Sequence, residues 1–149
     1  DNKGCNGTIL VVDINGDGRS DIVRTGHNDC GIRVLYQRAN GRLAAPRTLS
    51  NSFSNPIEAA DLNADGRTDL VAIDFDGMTY RVWLQSQTGQ LTLQTETNLQ
   101  FPRFGGNLID LYVCGLALGD INGDGMGGVW SVVRSNATAA AAKSGGYSY

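Results

Sequence analysis

The sequence predicts an all-β fold made of tandem four-stranded antiparallel sheets, two full and one partial. Three observations predict it. One unit of about 48 residues is written twice and begun a third time. Each copy consists of short β-branched and aromatic runs separated by turn residues. No segment carries a sustained helical period of apolar residues.

The repeat is visible when the chain is shifted by 48 positions. Asp13, Asn15, Asp17, Gly18, Arg19 and Asp21 then fall on Asp61, Asn63, Asp65, Gly66, Arg67 and Asp69. The register continues beyond this cluster. Val23 meets Val71, Arg33 meets Arg81, Val34 meets Val82, Gln37 meets Gln85, Gly41 meets Gly89 and Leu43 meets Leu91. Uninterrupted self-similarity of this length marks a duplicated structural unit. A third cluster begins at Asp120, 59 residues after Asp61, so the intervening segment carries an insertion.

Within the first unit, "TILVVD" is an apolar run that ends at the cluster and "DIVRT" leaves it. "IRVLYQ" follows, then a Gly-centred turn "RANGR", then "LAAPRTL". The second unit repeats this order with "YRVWLQ", "SQTGQ" and "LTLQTET". Four short strands joined by tight turns in about 48 residues have the size of one propeller blade. The predicted division is a first repeat at 1–54 with its loop at 13–21, and a second at 55–111 with its loop at 61–69 and an insertion near 98–111. A partial third repeat follows at 112–134 with its loop at 120–128, then a low-complexity tail or assembly strand at 135–149. Stacked repeats bury their cores only against neighbours and need caps at the ends. No polar cap is visible, so the array is expected to be completed by another copy of the chain, as a closed oligomer or a filament; the alternative is that the chain is a fragment of a longer propeller or a small open sandwich.

The clusters carry the chemistry. Numbered from Asp13, side-chain oxygens stand at positions 1, 3, 5 and 9 (Asp13, Asn15, Asp17, Asp21), with a glycine at position 6 for the sharp turn. A crowd of acids on a short turn repels itself unless positive charge sits within it. Alternating hard oxygens suit a cation that takes six to eight oxygen ligands, as Ca²⁺ does. Mg²⁺ prefers fewer protein ligands, and zinc would call for His or Cys. Arg19 and Arg67, at position 7, are expected to offer their backbone carbonyls and to send their side chains to solvent. The second loop presents Asp61, Asn63, Asp65, Arg67 and Asp69 in the same way. The third presents Asp120, Asn122, Asp124 and Met126 but has Gly128 at position 9, so two strong Ca²⁺ sites and one weaker one are expected. An EF-hand is not expected, because position 12 is Arg24 or Ala72 rather than Glu and the flanks read as strands.

"DINGDGRSDIV", "DLNADGRTDLV" and "GLALGDINGDG" resemble the FG-GAP/VCBS repeats of integrin α-subunit propellers, propeller lectins and many secreted bacterial proteins. "IRVLYQRANGRLAAPRTL" resembles the second half of such a repeat. The resemblance implies extracellular, calcium-binding blades and does not imply one biochemical activity.

The net charge of −3 and 18% charged residues give no sign of a nucleic-acid partner. No apolar run is long enough for a membrane helix, so no membrane insertion is expected. A secreted or cell-surface location is expected, with any leader already removed. Asn6 and Asn136 head N-x-[ST] acceptors for glycosylation. Three cysteines allow three pairings. An antiparallel return of the second strand favours Cys5 with Cys30, whereas Cys114 could pair with either, stay buried or link chains. No nucleophile–base pair is visible and the acids are committed to the loops, so an enzyme is not expected. The expected function is that of an extracellular calcium-stabilised repeat protein with a structural, self-assembling role. The alternative is a lectin-like module that binds glycans, for which Trp83 and Trp130 are candidate stacking surfaces, although an aromatic inside a β run more commonly packs a core.

Overall fold

The computed structural model of the chain describes residues 7–26, 31–52, 54–74, 79–98, 111–119, 128–135 and 146–147. All regular structure among them is β. The first sheet contains β1 (Ile9–Val12), β2 (Asp21–Arg24), β3 (Ile32–Leu35) and β4 (Arg47–Ser50) in that spatial order. The second contains β5 (Ser54–Ala60), β6 (Asp69–Asp74), β7 (Thr79–Gln85) and β8 (Leu91–Asn98), again in chain order. A third sheet is ordered β11 (Gly146–Tyr147), β10 (Gly128–Ser135), β9 (Leu111–Gly119). Every pairing is antiparallel.

The duplication read in the sequence is carried into the strand register. Val12 faces Asp21 across β1–β2 and Ala60 faces Asp69 across β5–β6. Val23 faces Val34, and Val71 faces Val82. Val34 faces Arg47, and Val82 faces Thr95. Each of these pairs recurs 48 residues on. Even the tight turns repeat. Gly41 N donates to Arg38 O at 2.8 Å and Gly89 N donates to Ser86 O at 2.9 Å.

The fourth strand of the first sheet is shorter than the run "LAAPRTL" suggests. It begins at Arg47, directly after Pro46, which has no N–H to give to a ladder. Leu43 makes only a single bridge with Gln37. Pro56 is accommodated in β5, an edge strand, where the register shifts between Ser54 and Ile57. The tail contributes β11, which pairs with β10 through Val129–Tyr147 and Trp130–Gly146.

Strand side chains alternate between two faces, and this alternation decides how the sheets stack. On the first sheet Leu10, Val12, Val23, Ile32, Val34 and Tyr36 form a forward face. It packs against Ile57, Ala59, Leu70, Ala72 and Trp83, the rear face of the second sheet. The second sheet's own forward face, with Val71, Ile73, Tyr80, Val82 and Leu84, packs against Leu116 and Leu118 of β9. Forward face meets rear face both times, and the two core clusters are these two interfaces. Trp83 is buried in the first of them and Leu70 is fully buried beside it. Each fully buried Leu or Ile side chain contributes about 1.5–3 kcal/mol through removal from water.

Candidate metal loops

Each acidic loop is an excursion between the first two strands of its sheet. In the first, Asp13 acts as the hub of the turn. Its Oδ1 accepts from Gly16 N at 2.8 Å and Asp17 N at 3.1 Å, and its Oδ2 accepts from Gly18 N at 2.7 Å. Burial raises the Asp13 pKa, but the converging N–H groups outweigh it and hold the carboxyl below the usual range. Asn15 Nδ2 donates to Asp17 Oδ2 at 2.9 Å, and Asn15 Oδ1 accepts from Asp17 N at 3.1 Å. Asp13, Asn15 and Asp17 therefore line one exposed turn.

The second loop repeats the pattern. Asp61 accepts from Asp65 N at 3.1 Å and Gly66 N at 2.7 Å, and Asn63 Nδ2 donates to Asp65 at 2.8 Å. Where the first loop has Gly16 at φ 74°, the second has Ala64 at φ 58°. A left-handed alanine costs roughly 1 kcal/mol, which the repeated hydrogen bonds of the turn offset.

Position 9 behaves differently from positions 1, 3 and 5. Asp21 and Asp69 are buried, and each ties its loop to a backbone N–H across the sheet, Gln37 just beyond β3 and Gln85 at the end of β7. Asp21 accepts from Ile14 N at 3.2 Å and Gln37 N at 2.8 Å. Asp69 accepts from Leu62 N at 3.0 Å and Gln85 N at 2.8 Å. Burial pushes both carboxyls up against the opposing pull of those N–H groups. The sequence reading missed this clip. No residue type signals it, because Gln37 and Gln85 take part through their backbone N–H groups.

Arg19 and Arg67 also differ from expectation. Their side chains do not run out to solvent. The Arg19 guanidinium pairs with the Asp17 carboxylate, and its Nε donates to Gln37 O at 2.9 Å. Arg67 pairs with Asp65 and donates to Gln85 O at 3.0 Å. The reason is electrostatic. An arginine two residues beyond a turn aspartate brings positive charge into the acidic crowd and satisfies a strand carbonyl at the same time.

The donor set of each loop consists of hard oxygens only, and this fits a cation of the calcium type. The side chains are not gathered into a cage, however. Among the described residues no three His, Cys, Asp or Glu side chains stand already gathered around one point, since Asp17 is turned to Arg19 and Asp21 is turned inward. Asp120, Asn122, Asp124 and Met126 of the third loop, Cys5, Cys30, and the sequon residues Asn6 and Asn136 lie outside the described residues.

The loops are also joints between sheets. Gln85 Nε2, in the second sheet, donates to Ile14 O in the first loop at 2.6 Å. The turn carrying Gly89 presses on the same loop, so a Cβ at Gly89 would come within 2.3 Å of Asn15 O. With two repeated loops, two sheets in one register and their stacking described, the comparison with known families is decisive. The FG-GAP-like repeat family matches residues 13–72 and again 61–127. The chain belongs to the FG-GAP-like repeat family. No curated protein and no solved structure matches the chain. The two FG-GAP-like matches each run from one acidic loop into the next, so they span the loops together with the blades between them. The all-β sheets are consistent with the propeller-like blades such repeats form.

Proposed function

We propose that this FG-GAP-like repeat chain is an extracellular, calcium-stabilised structural protein that assembles with copies of itself. One observation carries the reading. Among the described residues, Ile9 and Val11, side by side on one face of β1, are 66% and 68% exposed. Soluble proteins rarely leave a contiguous apolar sheet face open unless something binds it. An edge strand with unpaired backbone adds to the same tendency.

Calcium enters this reading as a folding ligand. Asp13, Asn15, Asp17, the Arg19 carbonyl and Asp21 would hold one ion, and Asp61, Asn63, Asp65, the Arg67 carbonyl and Asp69 a second. A bound divalent cation supplies positive charge to the turn, and because it binds only the folded loop its binding energy becomes stability. The three cysteines and two glycosylation acceptors support an extracellular setting. No observation favours the sugar-binding alternative. Trp83, one of its two candidate stacking residues, is buried between blades.

Light scattering after size exclusion tests the assembly. In calcium the chain is expected to elute at a multiple of its 15.8 kDa mass. EGTA is expected to shift the distribution towards smaller species. A compact monomer in both buffers at every concentration contradicts self-assembly.

A further inference from the structure

Gln85 is bonded to both acidic loops at once. It is buried at the end of β7, and its backbone serves the second loop while its side chain serves the first. The Gln85 N–H donates to Asp69 Oδ1 at 2.8 Å, and its carbonyl accepts from Arg67 Nε at 3.0 Å. Arg67 in turn pairs with Asp65. The Gln85 Nε2 crosses to the first loop and donates to Ile14 O at 2.6 Å. Gln85 and Ile14 are both buried, so removing this donor strips the carbonyl of a hydrogen bond without offering it water.

The contact reaches three successive residues of the first loop. Beside the bond to Ile14, the Gln85 Oε1 lies against Gly16, where an added Cβ would stand 3.3 Å from it. The turn at Gly89 closes on Asn15 O between them. These three residues are the whole stretch from Asp13 to Asp17, and Gly16 N is itself one of the donors to Asp13. Seating their backbone therefore sets the hub of the loop. The second loop carries Ala64 at the Gly16 position with φ 58°, so the turn itself accepts a Cβ there. In the first loop the Gln85 amide leaves that Cβ little room.

We propose that Gln85 is a positioning residue for the first acidic loop and couples its order to that of the second. Disturbing Asp65, Arg67 or Asp69 shifts Gln85 and loosens the first loop, and by linkage the reverse holds. The coupling is made of protein atoms and stands apart from the calcium reading. A cation bound in one loop would use it to favour the ordered form of the other. Gln37, the counterpart in the first blade, makes the same backbone contacts with Asp21 and Arg19 but no side-chain hydrogen bond among the described residues. It is the natural control.

Hydrogen exchange followed by mass spectrometry over residues 13–19 and 61–67 of the full chain in EGTA tests the coupling, with β5 reporting global opening. Gln85→Met keeps the backbone contacts and most of the side-chain volume but removes the amide. It is expected to speed exchange of 13–19 about tenfold with β5 unchanged. Arg67 is bonded to Asp65 and Gln85 and not to the first loop, yet Arg67→Ala is expected to speed 13–19 about threefold. In the double variant 13–19 is expected to exchange no faster than in Gln85→Met alone, because Arg67 acts on that loop only through Gln85. Two unconnected lesions would multiply. Gln37→Met is expected to leave both segments at wild-type rates. The coupling is overturned if Gln85→Met leaves 13–19 at the wild-type rate, or if Arg67→Ala keeps its full effect in the Gln85→Met background. Should Gln85→Met open β5 as well, Gln85→Asn, whose shorter amide falls short of Ile14 O, takes its place in the same comparison. Repeating the wild-type measurement in calcium separates the two readings. Calcium that slows neither segment contradicts the calcium reading and leaves the coupling to stand or fall on the results in EGTA.

Discussion

Replacing Asp69 by alanine is expected to destabilise the chain by about 2–5 kcal/mol, the cost of leaving one buried and one part-buried N–H group without an acceptor. The groups are those of Leu62 and Gln85, which both donate to this buried carboxylate. A loss of that size lowers the melting temperature by about 5–20 °C in a domain of this length. Asp69→Asn should recover part of it, because the amide oxygen can still accept one bond. The effect should appear in calcium and in EGTA alike, since the clip between loop and third strand is made of protein atoms. A loss seen only in calcium would mean that Asp69 acts solely as a metal ligand and that its contacts with β7 contribute nothing.

Ile57→Ala is the second large effect. Ile57 is fully buried in the cluster shared by the first two blades, together with Val23, Val34 and Leu70. Truncation removes apolar contacts and leaves a cavity that the two sheets cannot both close, which typically costs about 2–5 kcal/mol. Leu93→Ala on β8 is the control. Leu93 is exposed, and its truncation is expected to change stability by no more than about 0.5 kcal/mol. Chemical denaturation of both variants measures the difference. Equal midpoints would show that the sheets do not pack face to face through this cluster.

These residues also show how far the sequence could be read. The duplication, the loops and the strand order were legible because each is a local pattern written twice. Asp13 and Asp61 could be recognised as turn-formers from their own neighbours. The roles of Asp21 and Asp69 could not, because their partners Gln37 and Gln85 lie 16 residues away and bind through backbone N–H groups that no residue type announces. Arg19 was misread for a similar reason. Its carbonyl acceptor is on Gln37, across the sheet, and a surface arginine in a turn gives no local sign of that contact. The joint between Gln85 and Ile14 spans 71 positions and emerges only when one blade is laid on the next. Trp83 sits in a β run, where packing against a core is the ordinary expectation, and the structure places it there.

The arrangement gives the loops a double task. In the protein itself Arg19 and Arg67 supply the positive charge nearest Asp17 and Asp65. An exposed ion pair of this kind is worth about 1 kcal/mol or less. A divalent ion held by several oxygens supplies more, and at a hundredfold excess over its dissociation constant it adds about 2.7 kcal/mol per site. The chain is therefore expected to stay folded without calcium and to be stabilised by it.

The measurement that bears most directly on this account is thermal unfolding of the wild type and of the Asp17→Ala/Asp65→Ala double variant, each with calcium and with EGTA. The account predicts that calcium raises the wild-type midpoint by roughly 5 °C or more and that the double variant, which lacks a carboxylate in both described loops, loses that increment. A wild-type midpoint that is the same with calcium and with EGTA would contradict it.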